Sequence, residues 1–289
     1  MTAATAKPLL IRDVLLKGHR LLSGDEAALE AELLLMHALG VDRAHLYQRL
    51  AEPLSPEASD CYRRLLDRRA AHEPLPYITG HREFFALDFE TTPAALIPRP
   101  ETETLVDLAI AFAHERYAGR SITIADIGTG SGVIAVVLAR ELPLARVVAT
   151  DVSVAAIALA RRNAARHDVA GRIEFREGDL LRPLAEPVQI VAANLPYVTT
   201  AQWESSPPEI HDHEPRVALD GGQDGLDVIR RLLAQAPSRL AKIGGLFCEI
   251  GAWQGDEVRY IARRAFPDAR IEIACDLSGR DRVLCVYLD

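Results

Sequence analysis

The tetrapeptide Asn194-Leu195-Pro196-Tyr197 closes an apolar run, residues 188–193, that is typical of a buried strand. The Asn194 side-chain oxygen and the Leu195 backbone carbonyl are two acceptors that can hold both hydrogens of a planar NH2 group. Tyr197 can stack over such a group, and Pro196 stiffens the backbone between them. The pattern therefore predicts a site for a planar nitrogen nucleophile. The alternative is a strand-ending turn with a packed tyrosine.

A glycine-rich turn follows an earlier apolar strand. Gly128, Gly130 and Gly132 alternate with Thr129 and Ser131, and glycine lets a backbone turn tightly against a ligand. The free amides of the following helix point toward the same place, so the turn predicts a cofactor site. The spacing differs from the GxGxxG dinucleotide fingerprint, which disfavours a nicotinamide enzyme. A tight turn without a ligand remains the alternative.

Three acidic residues end the successive strands of this region. Asp126 can hold the amino-acid end of a cofactor or cap the next helix. Asp151 can accept both hydroxyls of a ribose, unless it caps the following helix, a role that Ser153 can also take. Asp179 can accept from an adenine amino group while Leu180 packs on the ring, or it is simply a turn aspartate.

The elements that would position these residues alternate from residue 121 onward. Because parallel strands end at a common edge of an open sheet, the glycine turn and the tetrapeptide should meet there. That layout predicts an S-adenosylmethionine-dependent N-methyltransferase. Closing helix and hairpin patterns predict an antiparallel last strand, giving an α/β fold with a seven-stranded, Rossmann-like class I methyltransferase sheet. The predicted strands are 122–127, 146–151, 173–177, 188–193, 245–250, 271–275 and 283–288, and the helices 133–141, 154–167, 226–240 and 257–266.

The N-terminal quarter has helical periodicity instead. Apolar positions recur over residues 27–39 and Gly40 follows as a stop, whereas Ser55-Pro56-Glu57 is a helix start. We expect a helical bundle over residues 1–75 and a methyltransferase domain over 99–289. Two prolines within 72–76 indicate a linker, and alternation over 77–97 predicts a β-hairpin, so residues 76–98 should connect the two domains.

Composition narrows the function further. The formal net charge of -8 argues against a large nonspecific nucleic-acid surface. Four scattered cysteines and the lack of a signal-like or membrane-spanning stretch predict a cytoplasmic protein. Residues 211–214, His-Asp-His-Glu, are more typical of a surface loop than of a metal cluster, so no metal is expected.

Taken together, five motifs resemble the peptide-chain release factor glutamine N5-methyltransferases over nearly the whole chain. The resemblance implies that S-adenosylmethionine methylates the glutamine amide in the Gly-Gly-Gln motif of class-1 release factors, which act in translation termination. It also implies that the N-terminal helices recognise this protein partner and that Arg99 to Glu103, with Arg99 and Glu101 as substrate-binding residues, form part of the pocket rim. The motifs are residues 96–103, 126–132, 194–197, 214–226 and 249–254.

One departure concerns Leu195, where the family usually has proline. The backbone acceptor is retained, but Asn-Leu-Pro-Tyr also occurs in ribosomal RNA adenine N6-dimethyltransferases, so an adenine methyltransferase acting on nucleic acid is the alternative. The acidic charge, the N-terminal position of the helical domain and the flanking motifs favour the glutamine enzyme. A catalytically silent cofactor-binding module is disfavoured because Asn194 and Tyr197 are both present.

Overall fold

A computed structural model of the chain describes residues 9–289. The chain divides into two compact units, one ending at Gly80 and the other spanning His81–Asp289. Each unit has its own hydrophobic core.

The described part of the first unit is helical. Ser55 accepts a hydrogen bond from the Ala58 amide at 3.2 Å and Pro56 occupies the first turn, so one helix begins where the sequence predicts. Gly40 has a φ of 63° and ends another helix, also as predicted. Tyr62 is buried, and its hydroxyl donates to the Ala31 carbonyl at 3.0 Å across two helices. The helices are α1 (Ile11–Leu21), α2 (Ala27–Leu39), α3 (Arg43–Gln48), α4 (Pro56–Ala70) and α5 (Leu75–Thr79).

The segment predicted as a linker and long hairpin differs from expectation. Residues from Leu75 form α5, because Pro76 lies in a first helical turn, where no amide hydrogen is needed. The hairpin exists but is shorter than 77–97: β1 (His81–Phe84) pairs antiparallel with β2 (Leu87–Glu90). Its Phe84 and Phe89 are buried in the core of the second unit.

The second unit contains the predicted seven-stranded sheet. Its order is β5-β4-β3-β6-β7-β9-β8, and β9 runs antiparallel to both of its neighbours. The remaining pairs among β3 to β7 are parallel, which confirms the expected α/β class. The strands are β3 (Thr123–Ile127), β4 (Arg146–Asp151), β5 (Ile173–Glu177), β6 (Val188–Ala193), β7 (Leu240–Glu249), β8 (Arg270–Cys275) and β9 (Asp281–Leu288).

Alternating strand residues supply two cores, one on each face of the sheet. Ile124 and Phe247 contribute to one core, and their neighbours Ala125 and Leu246 contribute to the other. Helices cover both faces, as apolar strands in a parallel sheet require. These helices are α6 (Thr102–Tyr117), α7 (Val133–Glu141), α8 (Val154–Arg166), α11 (Asp227–Gln235) and α12 (Gly255–Ala265), and two short helices, α9 (Thr200–Glu204) and α10 (Pro208–His211), precede α11.

Two boundaries of the sheet and its helices differ from the sequence prediction by more than two residues. The helix predicted over 226–240 ends at Gln235, because Pro237 cannot donate an amide hydrogen and lies in a 3₁₀ turn, Ala236–Ser238. Strand β7 consequently begins at Leu240 rather than at residue 245. Helix α6 was not predicted at all.

Asn163 on α8 joins three separate segments. Its Oδ1 accepts from the Glu90 amide at 2.8 Å, and its Nδ2 donates to the Glu90 carbonyl at 3.1 Å and to the Ser131 carbonyl at 2.8 Å. The side chain is fully buried. It therefore fixes the hairpin and the glycine turn to the same helix.

We expect Asn163→Ala to lower the free energy of unfolding by about 2–4 kcal/mol, because buried backbone groups lose their partners at ~1–3 kcal/mol each. Arg162→Ala is the matched control, since Arg162 bonds Glu90 from the same helix but is half exposed. The control should change stability by less than about 1 kcal/mol. Urea unfolding measures both, and equal effects would contradict the assignment.

Candidate active site

A cavity lies at the carboxyl ends of the parallel strands. Most of the residues predicted to bind cofactor or substrate line it, which brings the glycine turn and the tetrapeptide together. Four predicted residues lie outside the lining: Asp126, Gly132, Tyr197 and Glu101. The predicted residues in the lining are Arg99, Gly128, Thr129, Gly130, Ser131, Asp151, Asp179, Leu180, Asn194, Leu195 and Pro196.

The glycine turn depends on close approach as well as on positive φ. A Cβ at Gly128, whose φ is 72°, would lie 2.9 Å from Cδ2 of Leu195. A Cβ at Gly132, whose φ is 84°, would lie 2.9 Å from Cβ of Ala160 on α8. At Gly132 the backbone of Ala160 leaves no room for a side chain, whereas at Gly128 the neighbour is the flexible end of Leu195 and the positive φ is what favours glycine. The turn thus lies between the tetrapeptide and the neighbouring helix.

Asp126 lies beneath the turn and is fully buried. Its Oδ2 accepts from the Thr129 hydroxyl at 2.6 Å and from the Ala135 amide at 3.1 Å, so it caps α7, the second of the two roles that its position allows. Oδ1 has no hydrogen-bond partner among the described residues. Burial raises the pKa of Asp126 to about 7.

Asp151 connects the turn to the end of β4. Its Oδ2 accepts from the Gly130 amide at 2.9 Å, and its Oδ1 accepts from the Ser153 amide at 2.8 Å. The α8 cap is Ser153, whose hydroxyl accepts from the Ala156 amide at 3.2 Å. The capping alternative for Asp151 is therefore already met, and its carboxylate faces the cavity with acceptor capacity remaining.

Asp179 and Leu180 form another part of the wall. Arg231 donates to Oδ1 of Asp179, whereas Oδ2 has no hydrogen-bond partner among residues 9–289, and Nε of Arg182 lies 3.5 Å from it. Leu180 has a φ of 52°, and its carbonyl accepts from the Thr150 hydroxyl at 3.0 Å. An acceptor and an apolar side chain thus adjoin each other at the cavity.

The tetrapeptide is tied to a buried carboxylate. Nδ2 of Asn194 donates to Oγ1 of Thr102 at 3.0 Å, and Thr102 in turn donates to Oε2 of Glu249 at 2.6 Å. The Tyr197 hydroxyl donates to Oε1 of the same carboxylate at 3.1 Å. Thr102 and Glu249 are only 2% and 1% exposed. In the described part of the chain, no donor bonds the Leu195 carbonyl.

The backbone of the tetrapeptide is held by a second loop. A Cβ at Gly221 would lie 2.6 Å from the Pro196 carbonyl oxygen, and one at Gly225, with a φ of 77°, only 2.1 Å from the Tyr197 oxygen. Buried Gln254 donates to that Tyr197 carbonyl at 3.0 Å. The motifs 214–226 and 249–254 therefore serve to clamp the tetrapeptide.

The predicted rim residues behave differently from each other. Arg99 pairs with Glu214, which is buried and also accepts from the Ile97 amide at 3.3 Å, so this pair joins two sides of the cavity. Glu101 is exposed and precedes α6 outside the lining.

The sequence places Thr102 in the predicted rim and Glu249 in a matched motif but predicts no individual role for either, and it gives no prediction for Asn163. A proline and acidic residues before an apolar run mark the start of α6, which would have located Thr102. A carboxylate ending an otherwise apolar strand at the edge shared with Asn194 was the signal for Glu249. For Asn163, inside a helix, the sequence has no such signal.

Other conspicuous side chains have structural partners. Trp203 stacks on His211 with ring centres 4.6 Å apart, and the Arg216 guanidinium lies 4.2 Å above the indole. Trp253 is 57% exposed and lies outside the cavity lining.

The helices of the described residues 9–289 include none with the length and apolar character needed to cross a membrane.

Comparison with known proteins gives one consistent family. Residues 14–80 match the family described as PrmC N-terminal domain, and residues 106–206 match the Methyltransferase small domain family. The release factor glutamine methyltransferase of Moorella thermoacetica is 45% identical over 90% of both chains, and that of Geobacter sulfurreducens is 45% identical over 90% of this chain and 89% of its own. This chain belongs to the release factor glutamine methyltransferase family.

Solved structures agree on the fold of this family member. The hMettl16 catalytic domain bound to an RNA hairpin superimposes with a TM-score of 0.58 at 17% identity, covering 77% of this chain and 82% of that one. At that identity the likeness concerns the fold alone. It places the seven-stranded sheet among methyltransferase folds.

The clamp on the tetrapeptide can be tested with a matched pair of glycines. Gly225→Ala and Gly279→Ala place alanine at φ values of 77° and 75°, but only Gly225 has neighbours within 4 Å. Both should lose roughly 1–2 kcal/mol to left-handed strain. Gly225→Ala should lose a further ~1–3 kcal/mol because the Tyr197 carbonyl must move. Chemical unfolding measures the free energy of unfolding of both variants. Equal losses of stability would contradict the clamp on the tetrapeptide.

Proposed function

We propose that this chain transfers the methyl group of S-adenosylmethionine to the side-chain amide nitrogen of the glutamine in the Gly-Gly-Gln motif of class-1 release factors, in the cytoplasm. The observation that carries the proposal is the state of the two predicted acceptors. Nδ2 of Asn194 is already bonded, which leaves Oδ1 as the free end of the amide, and the Leu195 carbonyl accepts from no described residue. Family membership supplies the substrate class.

The residues around the cavity fit the cofactor. Gly128 and Gly130 bring bare backbone to the wall, Asp151 offers carboxylate oxygens for ribose hydroxyls, and Asp179 adds a carboxylate to the wall at which an adenine amino group would bind. Leu180 offers an apolar surface beside it. Asp126 would act on the cofactor only through the turn that it stabilises, since it lies outside the lining.

The bound cofactor would supply a methyl group on a positively charged sulfur, and that sulfur would leave as a neutral thioether as the nitrogen bonds the methyl carbon. In our proposal, Oδ1 of Asn194 and the Leu195 carbonyl accept the two amide hydrogens of the substrate glutamine. Tyr197, outside the cavity lining, stabilises the tetrapeptide through its bond to Glu249. Held in this way, the nitrogen presents its lone-pair face to the methyl carbon. The entropic cost of orienting it is then met on binding rather than in the transition state. The two acceptors also stabilise the positive charge that develops on nitrogen, and the acidic product loses its proton to water.

An adenine substrate would present the same planar NH2 group. The release factor relatives match about 90% of their own length as well as of this chain, which favours the protein substrate. We further propose that the helical unit ending at Gly80 contributes to recognition of the release factor, and that Arg99 shapes the entrance through its pair with Glu214.

Incubation of the purified chain with cofactor and an intact class-1 release factor tests the function directly. Mass spectrometry should find one added methyl group on the peptide that contains the Gly-Gly-Gln motif, and none when that glutamine is changed to alanine. Methylation of ribosomal RNA with no product on the release factor would overturn the proposal.

Asn194→Ala should reduce turnover on the release factor by about 10²-fold or more, because a preorganised acceptor at the nucleophile is lost. Affinity for the cofactor should stay nearly unchanged. Single-turnover kinetics and calorimetric titration give the two values. Unchanged turnover would exclude Asn194 from the mechanism.

Unlike Asn194→Ala, Asp151→Ala should act on affinity for the cofactor. It should weaken cofactor binding by about 2–4 kcal/mol, since charge-assisted bonds contribute ~1.5–3 kcal/mol each. Glu177→Ala is the control, because Glu177 ends the neighbouring strand β5 but lies outside the cavity lining. Calorimetry with the cofactor compares the two variants. Equal affinities would refute a ribose-binding role.

A further inference from the structure

Three side chains from distant parts of the sequence form a relay that ends at Asn194. Oε2 of Glu249 accepts from Oγ1 of Thr102 at 2.6 Å, and Oγ1 of Thr102 accepts from Nδ2 of Asn194 at 3.0 Å. Thr102 begins α6, Glu249 ends β7, and Asn194 follows β6. Neither Thr102 nor Glu249 has a role in the function proposed above.

The direction of the relay follows from proton counting. A threonine hydroxyl has one hydrogen, and an ionised carboxylate can only accept, so the Thr102 hydrogen points to Glu249. The hydroxyl oxygen can then only accept from Asn194. If Asn194 turned its Oδ1 toward Thr102, two acceptors would meet without a hydrogen between them in a buried place.

We infer that Thr102 and Glu249 are positioning residues that fix the Asn194 amide with Nδ2 bound inside and Oδ1 turned to the cavity. This inference rests on the proposed function for its meaning, because Oδ1 is the acceptor for the substrate amide. The reversed amide would present NH2 to the NH2 of the glutamine, and a donor facing a donor cannot bind it.

The same carboxylate orients Tyr197. The tyrosine hydroxyl donates to Oε1 at 3.1 Å, so each oxygen of Glu249 accepts one hydroxyl hydrogen. Only the ionised form can accept from both partners without offering a hydrogen of its own. The arrangement therefore requires a negative charge at Glu249 and makes the orientation of Asn194 depend on it.

The surroundings of Glu249 determine the pH range in which its carboxylate is ionised and the relay is intact. Burial raises the pKa of Glu249 to about 7, with Glu101 adding to the rise and Arg282 opposing it. The neighbouring groups Tyr197 and Cys248 have pKa values raised by burial and stay neutral there. As pH falls through about 7, the carboxyl gains a hydrogen, Thr102 is released to donate to Asn194, and the reversed amide becomes allowed. Turnover should therefore fall on the acid side.

Substitutions at Thr102 separate orientation from packing. Thr102→Val keeps the shape but removes the hydroxyl, and we expect kcat to fall by ~10- to 100-fold, less than the ~10²- to 10³-fold for a lost direct contact because Thr102 acts through Asn194, with cofactor Kd changed less than about 2-fold. Thr102→Ser keeps the hydroxyl and should restore kcat to within a few-fold. If Thr102→Ser is as impaired as Thr102→Val, or if Thr102→Val retains full kcat, the inference is wrong.

Glu249→Gln tests the requirement for charge. Its side-chain amide can donate to Thr102, so both orientations of Asn194 become allowed and kcat should fall over the whole pH range. The fall in kcat of the parent protein below about pH 7 should be absent in this variant. Asp126, whose pKa is also about 7, is unchanged in Glu249→Gln and would keep the acid limb if it were the cause. An unchanged acid limb in the variant would overturn the relay.

One measurement is independent of methylation. In the ¹⁵N-labelled protein, one side-chain Nδ2 hydrogen of Asn194, identified by its absence in Asn194→Ala, should exchange slowly with water. It should exchange rapidly in Thr102→Val. A parent protein that shows slow exchange but leaves the release factor unmethylated would refute the proposed function and keep the relay, whereas fast exchange in the parent protein would refute the relay itself.

Discussion

The Glu249 carboxylate, buried at the end of β7, accepts one hydroxyl hydrogen on each oxygen. Its two donors, Thr102 and Tyr197, come from the start of α6 and from the tetrapeptide after β6, so one negative charge joins three separate segments at a single edge of the sheet. Charge in such a place is costly unless every lone pair is used, and here the partners are the side chains on which the site depends. Because burial raises its pKa, the carboxylate makes the folded chain less stable as pH rises from the ordinary glutamate range toward 7.

The geometry of the tetrapeptide also depends on how the sheet is wound. Strands β3 and β6 are neighbours although 60 residues of chain separate Ile127 from Val188, so the glycine turn and Asn194 emerge side by side. The loop with Gly221 and Gly225 then closes over the tetrapeptide backbone, and Gln254 bonds the Tyr197 carbonyl. Pieces of sequence that look like independent motifs are thus two sides of one contact.

The seven strands, the antiparallel last strand and the meeting of Gly128 with Asn194 could be predicted from the sequence, because apolar periodicity and chain order determine them locally. The hydrogen bond between Thr102 and Glu249 could not be predicted, since the two residues lie 147 positions apart and their contact depends on where α6 begins. The linker predicted from Pro76 was wrong for a local reason, because proline breaks the interior of a helix but is accepted in its first turn, where it lies in α5. Asp126 had two chemically reasonable roles, and only its burial distinguishes the cap from a cavity residue.

Leu195 extends Cδ2 to within 2.9 Å of the place where any side chain at residue 128 would begin. The side chain at residue 195 therefore affects which residues are tolerated at position 128, although residue 128 follows β3 and residue 195 follows β6. The effect of a substitution at either position on stability should depend on the residue at the other. The two effects should therefore be non-additive, and the order in which the substitutions arise should matter. A designer transplanting this tetrapeptide into another methyltransferase would have to move the turn with it.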